Sequence, residues 1–176
     1  QVVDSVRDRL IFLFMLRCGL RVSEVCALTW DAIDLDADTV RINRGKGQVD
    51  RIVYLSPDVK RTLAVWQAHH TPGVYLFPSP KRHRAHPFRS QINVLMDQYL
   101  AAAGLTRHYS PHCLRHTFAT HLLNAGVSLE VLKELMGHHS ISLTLRYAQL
   151  YDDTKKHQYE TAMANIAQRQ AIRRRS

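Results

Sequence analysis

A mainly α-helical domain with one small β-hairpin is the fold this sequence predicts. Three observations lead there. Apolar residues recur at helical spacing over several segments. Two short alternating runs flank a glycine-rich turn. Glycine or proline stands at the ends of most of the helical segments.

The first helix is expected over about residues 4–18, stopped by Gly19 as a C-terminal cap. Its all-apolar run at 10–16 is short and flanked by Arg9 and Arg17, so it reads as a buried helix. A membrane span needs about 18 apolar residues, and no stretch reaches that. Ser23 is expected to cap a second short helix reaching Trp30. Thr39–Asn43 and Arg51–Leu55 alternate as strands, and Gly45-Lys46-Gly47 between them marks the hairpin turn. Ser56-Pro57-Asp58 opens a helix to about His69, with proline at the first helical position and an acid at the positive dipole end.

Residues 71–89 hold four of the six prolines and the basic cluster Lys81, Arg82, Arg84 and Arg89, which reads as a loop. From Ser90 the stripe Ile92, Leu95, Met96, Tyr99 and Leu100 gives a packed helix ended by Gly104. Further helices are expected over about Pro111–Ala125 and Ser128–Met136, closed by Gly126 and Gly137. Ser142 can cap a helix carrying Tyr147, and a last polar helix is expected over about Asp153–Gln168 before a tail ending Arg173-Arg174-Arg175.

A chain of 176 residues suffices for one domain with a core. Its net charge of +9 and pI of 9.8 favour a polyanionic partner, nucleic acid or an acidic membrane surface. Cys18, Cys26 and Cys113 are odd in number and scattered, which argues against a disulfide framework or a zinc site. They read as small buried apolar residues in a reducing compartment. No signal peptide is expected. A start at Gln1 without methionine leads us to expect a piece of a longer protein.

Five residues form one chemical set: Arg21, His112, Arg115, His138 and Tyr147. Two arginines can clamp the non-bridging oxygens of a phosphate. Histidines can donate hydrogen bonds or move protons, and a tyrosine hydroxyl can attack phosphorus. Arg21 lies at a helix start, a natural anion site, although a lone arginine there is more often a surface residue. His112 and Arg115 are i, i+3 and share a helix face, while His116 points about 100° away. Tyr147 lies with Leu143, Leu150 and Tyr151 on a stripe that by pattern alone reads as core, and Tyr151 is a rival nucleophile. No cysteine or acid completes a tetrahedral zinc set with the histidines.

The blocks Gly19-Leu20-Arg21-Val22-Ser23-Glu24, Ser110 to Leu123, and Gly137-His138 with a tyrosine nine residues on occur in one order. Over about Val6 to Asp153 the chain resembles the catalytic domain of the tyrosine recombinases, the phage-integrase and Xer-type family. The resemblance implies the DNA breaking-rejoining fold over 1–176, and a site-specific recombinase that cleaves and rejoins DNA through a 3′-phosphotyrosyl intermediate. It implies Tyr147 as nucleophile, chosen over Tyr151 by its offset from His138, and Lys46 as the acid that protonates the leaving 5′ oxygen. Arg21, His112, Arg115 and His138 then hold the phosphate, and Glu24 buttresses Arg21. The sequence departs from the pattern at Val49, where a basic residue is usual, and at His139, where serine is common, so either His138 or His139 could face the phosphate.

The same resemblance implies no cofactor and no metal. Its partners would be double-stranded DNA at specific sites, contacted in part by Lys81, Arg82, Arg84, Arg89 and the arginine tail, and three further copies in a synaptic tetramer. The fragment alone could be a monomer. Residues 153–176 would form an exchange helix and basic tail, and an N-terminal DNA-clamping domain would be missing. A cytoplasmic, nucleoid-associated protein is expected. The alternatives are a type IB topoisomerase-like relaxing enzyme and a non-catalytic DNA-binding regulator.

Overall fold

The computed structural model describes residues 2–43, 50–69, 73–78, 89–137, 159–160 and 163–164. The chain divides into two compact units, residues 1–119 with 135–137, and residues 120–134 with 138–176. The described residues are mostly helical with a small antiparallel sheet, as the sequence predicts.

In the first unit, α1 spans Val6–Arg17. The Ser5 side chain accepts from the Asp8 N–H at 3.3 Å, and Asp8 and Arg17 sit at the dipole ends that suit their charges. Its buried residues Leu10, Ile11, Phe14 and Met15 follow the helical period. Gly19 ends the helix with φ +66°, and the Leu20 N–H returns to the Phe14 carbonyl.

The next helix, α2, covers Val22–Cys26 and is capped at Arg21. Ser23 therefore lies inside it, contrary to its expected capping role. Trp30–Ala32 forms a separate 3₁₀ turn rather than the end of that helix.

The sheet has three strands where the sequence shows two: β1 Ile33–Asp34, β2 Thr39–Ile42 and β3 Arg51–Tyr54, in that order and antiparallel. Val40 pairs with Val53 and Ile42 with Arg51. Asp34 Oδ1 accepts the N–H groups of Asp36 and Ala37, and Asp38 takes φ 56°, which folds β1 back on β2. The turn at 45–47 lies outside the described residues.

Pro57–Ala68 forms α3, which packs against α1. Val59, Leu63 and Trp66 line its buried face, and Arg17 meets Asp58 at 2.8 Å across the two helices. The described part of the proline-rich segment, residues 73–78, is a loop that enters the core. Leu76 and Phe77 are fully buried, the Leu76 N–H bonds the Leu28 carbonyl, and Trp66 Nε1 donates to the Leu76 carbonyl.

Arg89–Ala102 is α4. Ile92 is buried and Leu95, Met96, Tyr99 and Leu100 are half-buried, as their stripe predicts. The Tyr99 hydroxyl donates to Asp8 Oδ2 at 2.9 Å. One core joins α1, α2, the sheet, α3 and Ile92 of α4.

Helix α5, His112–Asn124, begins in the first unit and ends in the second. In the second unit, the Val127 N–H bonds the Leu122 carbonyl at a turn where Gly126 has φ 93°. Ser128 Oγ then accepts from the Val131 N–H and opens α6, Leu129–Met136. Leu123 and Leu132 are buried. The last residues of α6 and Gly137 belong to the first unit. The expected helices around Tyr147 and over 153–168 lie outside the described residues, except that 159–160 and 163–164 are helical. No helix among the described residues is long and apolar enough to cross a membrane.

Candidate active site

The corner after α1 sets the first part of the site. Arg21 has extended backbone at the head of α2. Its N–H donates to Glu24 Oε2 at 2.7 Å and its Nη1 to Glu24 Oε1 at 2.9 Å. The carboxylate thus caps the helix start and orients the arginine at once.

Arg115 reaches the same carboxylate from α5. It is buried, and its Nη1 lies 3.9 Å from Glu24 Oε2. That nitrogen donates to the Gly19 carbonyl, while Nη2 donates to the Met136 carbonyl at 2.5 Å. Glycine is required at position 19 for two reasons. Its φ lies in the left-handed region, and a Cβ there would stand 2.5 Å from the Phe118 ring. Phe118 is three residues from Arg115, on the same side of α5. The close approach that excludes a side chain at Gly19 is therefore the one that brings Arg115 to its carbonyl.

A third arginine completes the cluster. Arg51, on the buried face of β3, donates from Nη1 to Glu24 Oε1 and from Nη2 to Glu24 Oε2, both at 2.8 Å. Its Nε donates to the Leu135 carbonyl at 2.7 Å. Sequence reasoning assigned Arg51 no role beyond starting a strand. The available signal was its phase: Arg51, Val53 and Leu55 are buried while Ile52 and Tyr54 are exposed, so a charge stands at an inward position.

Among the described residues, three guanidiniums stand around this one carboxylate, 3 − 1 = 2 net positive charges for these four side chains. Burial alone would push the Glu24 carboxyl up. The hydrogen bonds and charge of Arg51, with those of Arg21, outweigh it and hold the carboxyl down at about 2. Glu24 is therefore ionised at any physiological pH. Exposure is graded across the cluster: the side chains of Arg51 and Arg115 are 6% exposed and that of Arg21 is 32% exposed. Arg21 forms the exposed edge of the cluster.

Of the other expected site residues, His112 is exposed in the first turn of α5, and His116 is exposed as well. Lys46, His138, His139, Tyr147, Tyr151, Lys81, Arg82, Arg84 and the arginine tail lie outside the described residues. Arg89 begins α4 instead of ending a loop, and its side chain is also outside them. Among the described residues no group of three or more His, Cys, Asp or Glu could hold a metal.

The profile of the phage integrase family matches residues 2–154. The chain belongs to that family. A tyrosine recombinase of Pseudothermotoga lettingae is 37% identical over 155 residues, covering 87% of this chain and 53% of the relative. The tyrosine recombinase XerA of Thermococcus kodakarensis is 37% identical over 149 residues, with 82% and 51% covered. The crystal structure of a XerA recombinase superimposes with a TM-score of 0.76 at 29% identity, covering 90% of this chain and 58% of the other. The XerH site-specific recombinase, bound to its palindromic difH substrate after cleavage, gives 0.73 at 25% identity, with 88% and 45% covered. The chain thus spans about half the length of the curated relatives it matches.

Proposed function

We propose that this chain is the catalytic domain of a tyrosine site-specific recombinase acting on double-stranded DNA. The observation that carries the reading is the convergence of Arg21 and Arg115, from separate helices, on Glu24, with net positive charge in a half-buried corner. Such preorganised donors serve best where charge develops in a transition state.

In the proposed step, Tyr147 Oη attacks a backbone phosphorus in line and gives its proton to a neutral histidine of the set or to water. The bond to the 5′ oxygen breaks, and Lys46 protonates that oxygen. One phosphodiester is exchanged for one phosphotyrosine, so the reverse attack by a 5′ hydroxyl restores the DNA without an energy source. Arg21 and Arg115, with His112 and His138 or His139, stabilise the pentavalent phosphorus. Neither a metal ion nor a cofactor enters the step. Lys81, Arg82, Arg84, Arg89 and the arginine tail contact DNA phosphates, which makes binding strongly salt-dependent. Four copies assemble on two DNA sites, with residues 153–170 docking on a neighbour, and an N-terminal domain adds the second half of the DNA clamp.

The test is covalent trapping. The intact protein is mixed with a nicked duplex carrying the site recovered by selection from a random-sequence duplex pool, with chelator present. The wild type should give a protein–DNA adduct that Tyr147→Phe lacks. An adduct surviving in Tyr147→Phe would transfer the role to Tyr151, and no adduct from the wild type would favour a binding protein.

A further inference from the structure

We propose that Arg51 is a positioning residue for this phosphate site: it fixes the Glu24 carboxylate against which Arg21 is aimed, and it anchors the end of α6 to the same point. The inference rests on the strand-transfer reading above.

Arg51 is not built to hold a phosphate. It is buried, and all three of its guanidinium nitrogens donate to protein oxygens, two of Glu24 and one of Leu135. Its work is on its neighbours. Each Glu24 oxygen receives one bond from Arg21 and one from Arg51: Oε1 from Arg21 Nη1 and Arg51 Nη1, Oε2 from the Arg21 N–H and Arg51 Nη2. The planar fork of Arg51 sets the plane of the carboxylate, and that plane sets the direction of the Arg21 head. A lysine can supply the charge but not the fork.

The second anchor lies at α6. The final carbonyls of a helix have no partner within it, and they carry its negative dipole end. Arg51 takes the Leu135 carbonyl and Arg115 takes the next one, Met136. Two arginines thus cap one helix end, immediately before Gly137, which has φ 57° and precedes His138 in sequence. Arg51 hydrogen-bonds both Glu24 and Leu135 of α6, so β3 ties the head of α2 to the end of α6.

A buried ion pair at a strand position is weak evidence for stability, because an apolar pair of similar volume often does as well. Orientation is the property that the apolar pair would lack. Among the described residues, the charged groups facing Glu24 are Arg21 from its own helix start, Arg51 from β3 and Arg115 from α5. With Arg51 gone, burial acts on the carboxyl with less opposition and it rises, so an acid limb should enter the rate profile.

The experiment is single-turnover adduct formation by the intact protein on the selected nicked duplex, for wild type, Arg51→Met and Arg51→Lys. Rates are normalised to folded protein and measured at saturating DNA from pH 7 down to pH 5. Arg51→Met should lower the rate by about tenfold or more while the DNA Kd moves by less than about threefold. Arg51→Lys should recover part of the rate, and both variants should lose more rate toward pH 5 than the wild type. A merely structural residue would lower the melting temperature and leave the rate per folded molecule and its pH profile alone. If Arg51→Met does not fold, Arg51→Lys decides alone. Folded variants within about twofold of the wild type, with its pH profile, would overturn the proposal while leaving the strand-transfer reading intact. A wild type that forms no adduct would overturn both.

Discussion

Glu24→Gln isolates the electrostatics of the arginine cluster with almost no change in volume. In the folded chain the carboxyl titrates at about 2, against an ordinary value of 4.5. That difference corresponds to about 3 kcal/mol of stability at neutral pH. Removing one partner of a buried ion pair likewise costs about 3–5 kcal/mol. Glutamine keeps one acceptor oxygen. It also turns an NH2 group toward the Arg51 fork and leaves three guanidiniums without their counter-charge. The variant should therefore lose about 3 kcal/mol at pH 7.

The pH dependence gives the more exacting check. A carboxyl whose folded value is depressed contributes its stability above its unfolded value, and loses it as pH falls through the folded one. The Glu24 contribution is thus complete above about pH 5 and fades from about 4.5 toward 2. Between pH 7 and pH 3 the gap between wild type and Glu24→Gln should narrow by about 2 kcal/mol, while other carboxyls cancel in the comparison. Urea unfolding followed by the fluorescence of Trp30 and Trp66 measures it. A gap below about 1 kcal/mol at pH 7, or one unchanged at pH 3, would refute the assigned role of the carboxylate.

Other outcomes follow from the same contacts. Arg21→Ala should slow adduct formation by about 10²–10³-fold, equivalent to about 2.7–4 kcal/mol of barrier, and a single-turnover assay within tenfold of the wild type would count against the clamp. Gly19→Ala meets both a left-handed backbone and the Phe118 ring, so it should destabilise the chain by about 2–4 kcal/mol; a melting temperature equal to the wild type's would show that the corner can open. Leu63→Ala removes a fully buried side chain between α3 and the core and should cost about 2–5 kcal/mol in urea unfolding. Burial, with the charge of Asp58, pushes the Cys18 thiol up to about 12, against the smaller effect of the Ser56 backbone. Cys18 should therefore resist thiol reagents at pH 8 until the chain unfolds, and rapid labelling of Cys18 in the native protein would contradict its burial.

Local chemistry made much of the fold readable. The α3 segment carries Pro57, Asp58 and an i, i+4, i+7 stripe, each pointing to the same helix, and Gly19, Gly104, Gly126 and Gly137 all take positive φ beside helix ends. Strand β1 was not readable, because two residues show no alternation and its return depends on Asp38 in a left-handed conformation. Leu76 and Phe77 were hidden by the prolines around them; long-range bonds to Leu28 and Trp66 bury them, and no local pattern encodes those bonds. In the candidate site, Arg21, Glu24 and Arg115, which the family resemblance singled out, stand together in the fold. Arg51 was not singled out, because its contact with Glu24 follows from the register of β3, which places it opposite Ile42 and facing inward.

That register explains why this site tolerates so much buried charge. Arginines packed together repel one another, and taking any one of them out of water is unfavourable. Glu24 offsets the repulsion only because each oxygen is shared, so a single carboxylate serves Arg21 and Arg51 at hydrogen-bond distance and stands 3.9 Å from Arg115. The carbonyls of Gly19, Leu135 and Met136 take further donors of the two buried arginines. Those donors are met by neutral dipoles, which leave the net charge untouched. The result, among the described residues, is a positive corner whose members are already held in place by one another, and if it takes the proposed phosphate, electrostatic stabilisation there needs no reorganisation at the moment of reaction.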